Sequence, residues 1–145
     1  MKKTIIFLIA VIIVLVSIIG IKYFLNKVLL TEVKSENAKY EKYVSQEIYG
    51  IDLATLINKS VDQNVKSEVE VNDKGIFIPN EENSIHIEIF MKDNETTYKM
   101  EIIHNSGTEQ FVQYYGDVKF KCSKTEYHKK TGKIKYMLFE QSQIS

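Results

Sequence analysis

The sequence predicts an α+β fold: an N-terminal transmembrane helix with a helical extension, then an antiparallel β-sheet of four to six strands. Three observations carry this expectation. Thr4 to Ile21 is a run of 18 uncharged residues, dense in Ile, Val and Leu. Between Thr31 and Gln63 the chain has no Pro and a single Gly, Gly50, and its apolar residues recur every three or four positions. From residue 68 the apolar period shortens toward two, with turn-forming residues between the segments.

The apolar run is ~27 Å long as a helix, close to the ~30 Å hydrocarbon core of a bilayer. Lys22 interrupts it, but its stem can snorkel, and Tyr23 suits an interface. The run exceeds the apolar stretch of a secretory signal, and no Ala-x-Ala-like site follows it, so an uncleaved signal anchor is expected. Cys122 lies far from the run, which excludes an N-terminal lipoprotein cysteine. Lys2 and Lys3 precede the segment while Lys22 and Lys27 follow it, a near balance. Signal-anchor logic then places the N-terminus in the cytoplasm and residues 31–145 outside, on a single-pass protein of the cytoplasmic membrane. The expected organisation is a membrane anchor over 1–30, a juxtamembrane helix over 31–49 and an extracytoplasmic α+β domain over 50–145.

Thr31 to Tyr49 reads as continuing helix, with Val33, Tyr40, Val44 and Ile51 as a thin apolar stripe and polar Asn37 in its seam. After Gly50, Ile51 to Gln63 is a second helix with Leu53, Leu56, Ile57 and Val61 on one face, and Asp52 as an N-cap or first-turn acid. Glu68 to Val71 alternates, Asn72-Asp73-Lys74-Gly75 turns, and Ile76 to Ile78 is a short strand ended by Pro79. Ser84 to Lys92 is a half-buried strand, with Ile85, Ile87 and Ile89 on one face and His86, Glu88 and Phe90 on the other. Asp93-Asn94-Glu95 turns into a strand over Thr96 to His104, and Asn105-Ser106-Gly107 turns again. Glu109 to Tyr115 fits a short helix or a strand. Asp117 to Tyr127 and Lys133 to Glu140 form a hairpin, with Gly132 suited to a left-handed position. Its register stays open. A three-residue loop puts Phe120 and Cys122 on the face of Ile134, Tyr136 and Leu138. A four-residue loop sets Glu126 opposite Lys135, and a one-residue slip exchanges the faces.

One Cys excludes an internal disulfide framework and any multi-Cys zinc or iron–sulfur site in a single chain. His86, His104 and His128 show no metal-ligand spacing, and each reads as a surface or edge histidine. Cys122 reads as a buried small hydrophobe rather than a nucleophile. The acids form neither a calcium loop nor a glycosidase pair, and the six Gly form no phosphate loop or dinucleotide fingerprint. Two short glycosylation patterns, Asn58-Lys59-Ser60 and Asn94-Glu95-Thr96, are weak signals. No catalytic residue, cofactor or metal site is therefore assigned.

Charge placement says more. The 19 Lys and 19 acids cancel, yet residues 1–30 hold four Lys and no acid, 31–118 hold eight Lys and seventeen acids, and 119–145 hold seven Lys and two acids. The last hairpin is a basic ribbon on an acidic domain. Its Lys119, Lys121, Lys124, Lys129, Lys130, Lys133 and Lys135 are the candidate anion- or partner-binding residues. Lysines on an exposed hairpin also block unwanted strand pairing, the simpler explanation of the cluster. Every cation is Lys, so no bidentate phosphate fork exists, which weighs against nucleic acid and leaves an anionic wall polymer, a lipid headgroup or an acidic patch on a partner.

The plan of one N-terminal membrane helix, a helical extension and a following sheet resembles that of type IV-like pilins and pseudopilins. Their Gly-Phe junction and early Glu are missing: Met1-Lys2-Lys3-Thr4-Ile5-Ile6-Phe7 leads straight into the apolar run, and no acid precedes Glu32. The chain also looks like short single-pass membrane proteins of AT-rich Gram-positive bacteria. That likeness rests on Tyr49-Gly50-Ile51-Asp52-Leu53-Ala54-Thr55-Leu56-Ile57-Asn58-Lys59, Phe111-Val112-Gln113-Tyr114-Tyr115 and Glu126-Tyr127-His128-Lys129-Lys130-Thr131-Gly132. These resemblances imply a non-enzymatic, membrane-anchored envelope protein, a structural or accessory subunit of a pilus-like or secretion assembly, with envelope proteins or its own copies as partners. The second expectation is an envelope sensor or binding module that uses the Lys-rich hairpin to hold an anionic ligand.

Overall fold

The computed structural model describes residues 2–142. The chain divides into two compact units, one up to Ser35 and one from Glu36. The first unit consists of the apolar part of helix α1 (Lys2–Val44). Among the described residues α1 is the one helix long and apolar enough to cross a membrane, and its apolar window is unburied. Two of its hydroxyls bond back within the helix: Ser17 Oγ donates to Ile13 C=O at 2.8 Å and Thr31 Oγ1 to Lys27 C=O at 2.9 Å. Such back-bonding removes the cost of a bare hydroxyl in hydrocarbon.

The second unit is an α+β domain, as the change of period implies. Tyr40 and Tyr43, from the last turns of α1, are buried in its core. The helix ends at Val44 rather than Tyr49, because Ile48 and Tyr49 are strand β1 (Ile48–Tyr49), paired with Phe120 and Lys119. Helix α2 (Gly50–Lys66) follows without a side-chain N-cap. The Gly50 N–H instead donates to Val118 C=O at 2.9 Å and the Ile51 N–H to Gly116 C=O at 3.2 Å. Asp52 is thus a first-turn acid, not the cap. Leu53, Leu56, Ile57 and Val61 are all buried on one face, as their spacing requires.

The sheet continues with β2 (His86–Met91), β3 (Thr96–Lys99), β4 (Lys119–Tyr127) and β5 (Ile134–Gln141), in the order β1-β4-β5-β2-β3. Five strands fall within the expected range. The sheet is mixed rather than wholly antiparallel, because β2 and β5 run parallel. The two hairpins, β2–β3 and β4–β5, are local and antiparallel. They are joined through α3 (Met100–Asn105) and α4 (Thr108–Tyr115), and this helical crossover lays β5 beside β2 in the same direction.

The expected strand over Thr96 to His104 stops at Lys99. Met100, Glu101 and Ile103 are buried in α3 instead, a helical rather than an alternating set. The ambiguous Glu109 to Tyr115 segment is helix, entered through Gly107 at φ 93. One sheet face meets the helices through Ile87, Ile89, Met91, Phe120, Met137 and Phe139, all essentially inaccessible. Each such side chain contributes ~1.5–3 kcal/mol by leaving water.

In the last hairpin Glu126 pairs with Tyr136 and Cys122 with Phe139. The register of the four-residue loop holds at both ends of the ladder, where Tyr127 pairs with Ile134 and Phe120 with Gln141, but slips at Ser123 and at Lys135 shift the stretch between them, so Glu126 faces Tyr136 rather than Lys135. The second slip leaves Lys135 without a partner on β4. Gly132 takes φ 71, as its place in the loop suggests.

Candidate functional site

The sheet face opposite the helices carries polar side chains in register. His86 lies beside Tyr136, which lies beside Glu126; Lys99, Glu88, Leu138 and Lys124 form the next row. Alternation along β2 produces one half of this surface. The slips at Ser123 and Lys135 produce the other, keeping Lys124 and Glu126 on the same face as Tyr136 and Leu138.

A ribbon over residues 71–79 forms a wall along this face. Val71 bridges Phe77. The Asn72 side chain accepts the N–H groups of Lys74 and Ile76, each at 3.0 Å, and Gly75 takes φ 70, so the expected turn is present. Phe77 is buried, and its N–H donates to Oε1 of buried Glu101 at 3.2 Å. Between ribbon and sheet lies a cleft of about 600 Å³. Asn72, His86, Glu88, Lys99, Glu101, Lys124, Glu126, Lys135 and Tyr136 supply its polar lining, and Ile76, Ile78 and Pro79 part of its apolar wall.

Electrostatics inside the cleft are uneven. Burial lowers the proton affinity of His86 below the ordinary histidine value, and Lys99, Lys135 and His128 lower it further, opposed by Glu88. Its Nε2 is buried without a partner. The Tyr136 hydroxyl donates to Glu88 Oε2 at 2.8 Å, and burial, then that carboxylate, hold the phenol well above its usual range. Lys124 pairs with Glu126 at 2.7 Å, which lowers the exposed Glu126 carboxyl.

The seven lysines do not form one surface. Lys124 and Lys135 line the cleft. Lys119 lies 5.8 Å over the Tyr49 ring, and Lys121 stands opposite Glu140. At the hairpin tip Lys129 is exposed, Lys130 lies 3.6 Å from Glu82, and Lys133 pairs with Glu36 at 2.9 Å.

The histidines also depart from a uniform surface reading. His128 is buried, with Nε2 2.8 Å from Ser84 C=O, which requires the proton on Nε2. His104 Nδ1 lies 2.9 Å from Asn58 Oδ1, while Asn58 Nδ2 donates to Thr108 Oγ1 at 3.1 Å, a tie between α2, α3 and α4. Cys122 is half-buried against the core, its thiol 3.3 Å from Lys124 C=O and 3.4 Å from Thr125 Oγ1. Neither neighbour is a base that would activate it. Among the described residues no group of three or more His, Cys, Asp or Glu is placed to hold a metal ion.

Sequence reasoning reached Lys124 and Lys135 but not His86, Glu88, Lys99, Glu101 or Tyr136 as members of one site. The alternation of β2 was the available signal for His86 and Glu88; nothing local joins them to Tyr136, 48 residues from Glu88.

No known protein family matches this chain, and neither a curated protein nor a solved structure matches it. Fold and site together define an α+β domain protein with one long apolar N-terminal helix, which fits a single-pass membrane anchor or signal anchor.

Proposed function

We propose that this protein is a non-enzymatic binding module of the cell envelope. The N-terminal helix anchors it in the cytoplasmic membrane, and the domain stands outside the cytoplasm, where its cleft receives a small polar ligand. The observation that carries this reading is the cleft itself: about 600 Å³, with charged side chains converging from β2, β3, β4, β5 and α3. Concave sites with a few converging polar groups are where ligands bind. The Lys-rich hairpin enters this reading through Lys124 and Lys135, not through its tip.

The test uses the full chain in lipid nanodiscs, screened by thermal shift against short carboxylates, phosphate, amines and neutral sugars. A ligand-dependent rise in melting temperature that is lost in Tyr136→Phe or Lys99→Gln supports the reading. A flat response to every compound overturns it. Reporter fusions at the C-terminus test the location: a periplasmic-type phosphatase active there agrees, and a fluorescing cytoplasmic reporter does not. In vivo crosslinking from the 36–44 helix that captured only copies of itself or one envelope protein, with no ligand response, would favour the assembly-subunit expectation instead.

A further inference from the structure

The charge order inside the cleft narrows its ligand. Each of its three carboxylates already has a donor: Glu126 takes Lys124, Glu88 takes the Tyr136 hydroxyl, and Glu101 takes the Phe77 N–H. Its cations are not matched in the same way. Among the described residues Lys99 and Lys135 form no ion pair. Both stand next to His86. Lys99 ends β3 opposite Glu88, one rung along from His86. Lys135 occupies the slip in β5 beside Tyr136, the residue opposite His86. An extra residue in a strand commonly re-aims a side chain at a site's rim. Resting on the reading of the cleft as a ligand site, we propose that its His86 end binds a singly charged carboxylate on a short apolar stem, with Lys99 and Lys135 holding the carboxylate and Ile76, Ile78 and Pro79 the stem.

The resident groups decide between one charge and two. Lys99, Lys124 and Lys135 balance Glu88, Glu101 and Glu126, so the lining is formally neutral with His86 uncharged. A bound monoanion is offset by one proton on His86, whereas a dianion leaves a surplus charge facing three carboxylates. His86 is the group able to supply that proton. It is faced by Lys99 from β3, Lys135 and Tyr136 from β5, Glu126 from β4, Glu101 from α3, His128 from the hairpin loop and Glu88 on its own strand. Burial first, and then the cations among these, suppress its protonation in the empty site, and a carboxylate between Lys99 and Lys135 offsets the cationic part. Carboxylate and proton therefore bind with positive coupling, and affinity rises as pH falls.

The experiment titrates the full chain in nanodiscs with sodium butanoate by calorimetry, at about pH 6 and about pH 8. Methyl butanoate, butylamine and inorganic phosphate are the comparison ligands. Butanoate is expected to bind about tenfold more tightly at the lower pH, and Lys99→Gln or Lys135→Gln to weaken it about tenfold. In His86→Gln the pH dependence of binding is expected to disappear. Nitrogen NMR of labelled histidine reads His86 directly and is expected to show its protonation midpoint rising on butanoate addition. Circular dichroism and melting temperature establish that each variant is folded. Equal binding of phosphate, indifference to both lysine substitutions, or a His86 midpoint unmoved by butanoate overturns the carboxylate inference. Binding of the amine or the ester without butanoate also overturns it but leaves the cleft a ligand site. Failure of all four ligands, with a flat response in the wider screen, removes both.

Discussion

Asn64 and Ile85 are joined by two hydrogen bonds that imitate a strand pair: Asn64 Nδ2 donates to Ile85 C=O at 2.7 Å, and the Ile85 N–H donates to Asn64 Oδ1 at 2.8 Å. Both residues are buried. The amide of α2 thus closes the backbone just before β2. Asn64→Ala leaves a donor and an acceptor of Ile85 without partners. The domain should lose ~2–4 kcal/mol, read as a lower urea midpoint of the full chain in detergent micelles. Asn64→Asp should lose a comparable amount, since a carboxylate cannot donate to Ile85 C=O.

Gly50 packs against the C-terminal end of α4. A Cβ at this position would meet Tyr115 O at 1.9 Å and Tyr115 C at 2.7 Å, both backbone atoms. Gly50→Ala must move either α2 or α4, whose junction also holds the bond from the Gly50 N–H to Val118 C=O. A destabilisation of ~3 kcal/mol or more is expected from such overpacking, measured by the same urea titration.

Asn37 and Glu36 both reach the tip of the last hairpin, with different expected weights. Asn37 Nδ2 donates to Gly132 C=O at 2.9 Å, and the Ile134 N–H donates to Asn37 Oδ1 at 3.0 Å. Asn37→Ala should cost ~1–2 kcal/mol and speed amide exchange at Ile134. The Lys133–Glu36 pair is partly exposed on both sides, so solvent screens it, and Glu36→Gln should cost under ~1 kcal/mol. A larger loss from Glu36→Gln than from Asn37→Ala would contradict this ranking.

Burial and its cationic neighbours hold the His86 proton affinity below its ordinary value of 6.5. The unfolded chain therefore binds the proton more readily than the folded one, and stability rises with pH across that interval. In the absence of ligand the contribution is complete above the ordinary value and is lost as pH falls through the lower folded value. Urea midpoints between about pH 8 and pH 5 should fall toward acid, and His86→Gln should flatten part of that slope. An unchanged slope in the variant would refute the assignment.

Periodicity was legible wherever one element could bury its face by itself. The spacing of Leu53, Leu56, Ile57 and Val61 describes α2, and the alternation from Ile85 to Ile89 describes β2. It failed where a segment satisfies two templates. Met100 to His104 alternates acceptably, yet it turns into α3, where Met100 and Ile103 join the core and Glu101 accepts the Phe77 N–H. Ile48 and Tyr49 continue a helical composition, yet β4 offers them an open edge. His128 looks like a turn residue and is one, but Ser84 draws its ring inside.

The candidate site divides along the same line. Residue types and local pattern were enough for the membrane-length helix, the α+β class, the polar face carrying His86 and Glu88, and a lysine-rich last hairpin. They rest on composition and on contacts within a few residues, which the chain order itself supplies. The cleft depends on the slips at Ser123 and Lys135, the parallel pairing of β2 with β5, and the bond from Phe77 to Glu101. These are settled by long-range packing. Strand pairing is nearly equivalent from one register to the next, so only the burial of Phe120, Met137 and Phe139 against α2 and its neighbours selects which side chains turn outward into the cleft.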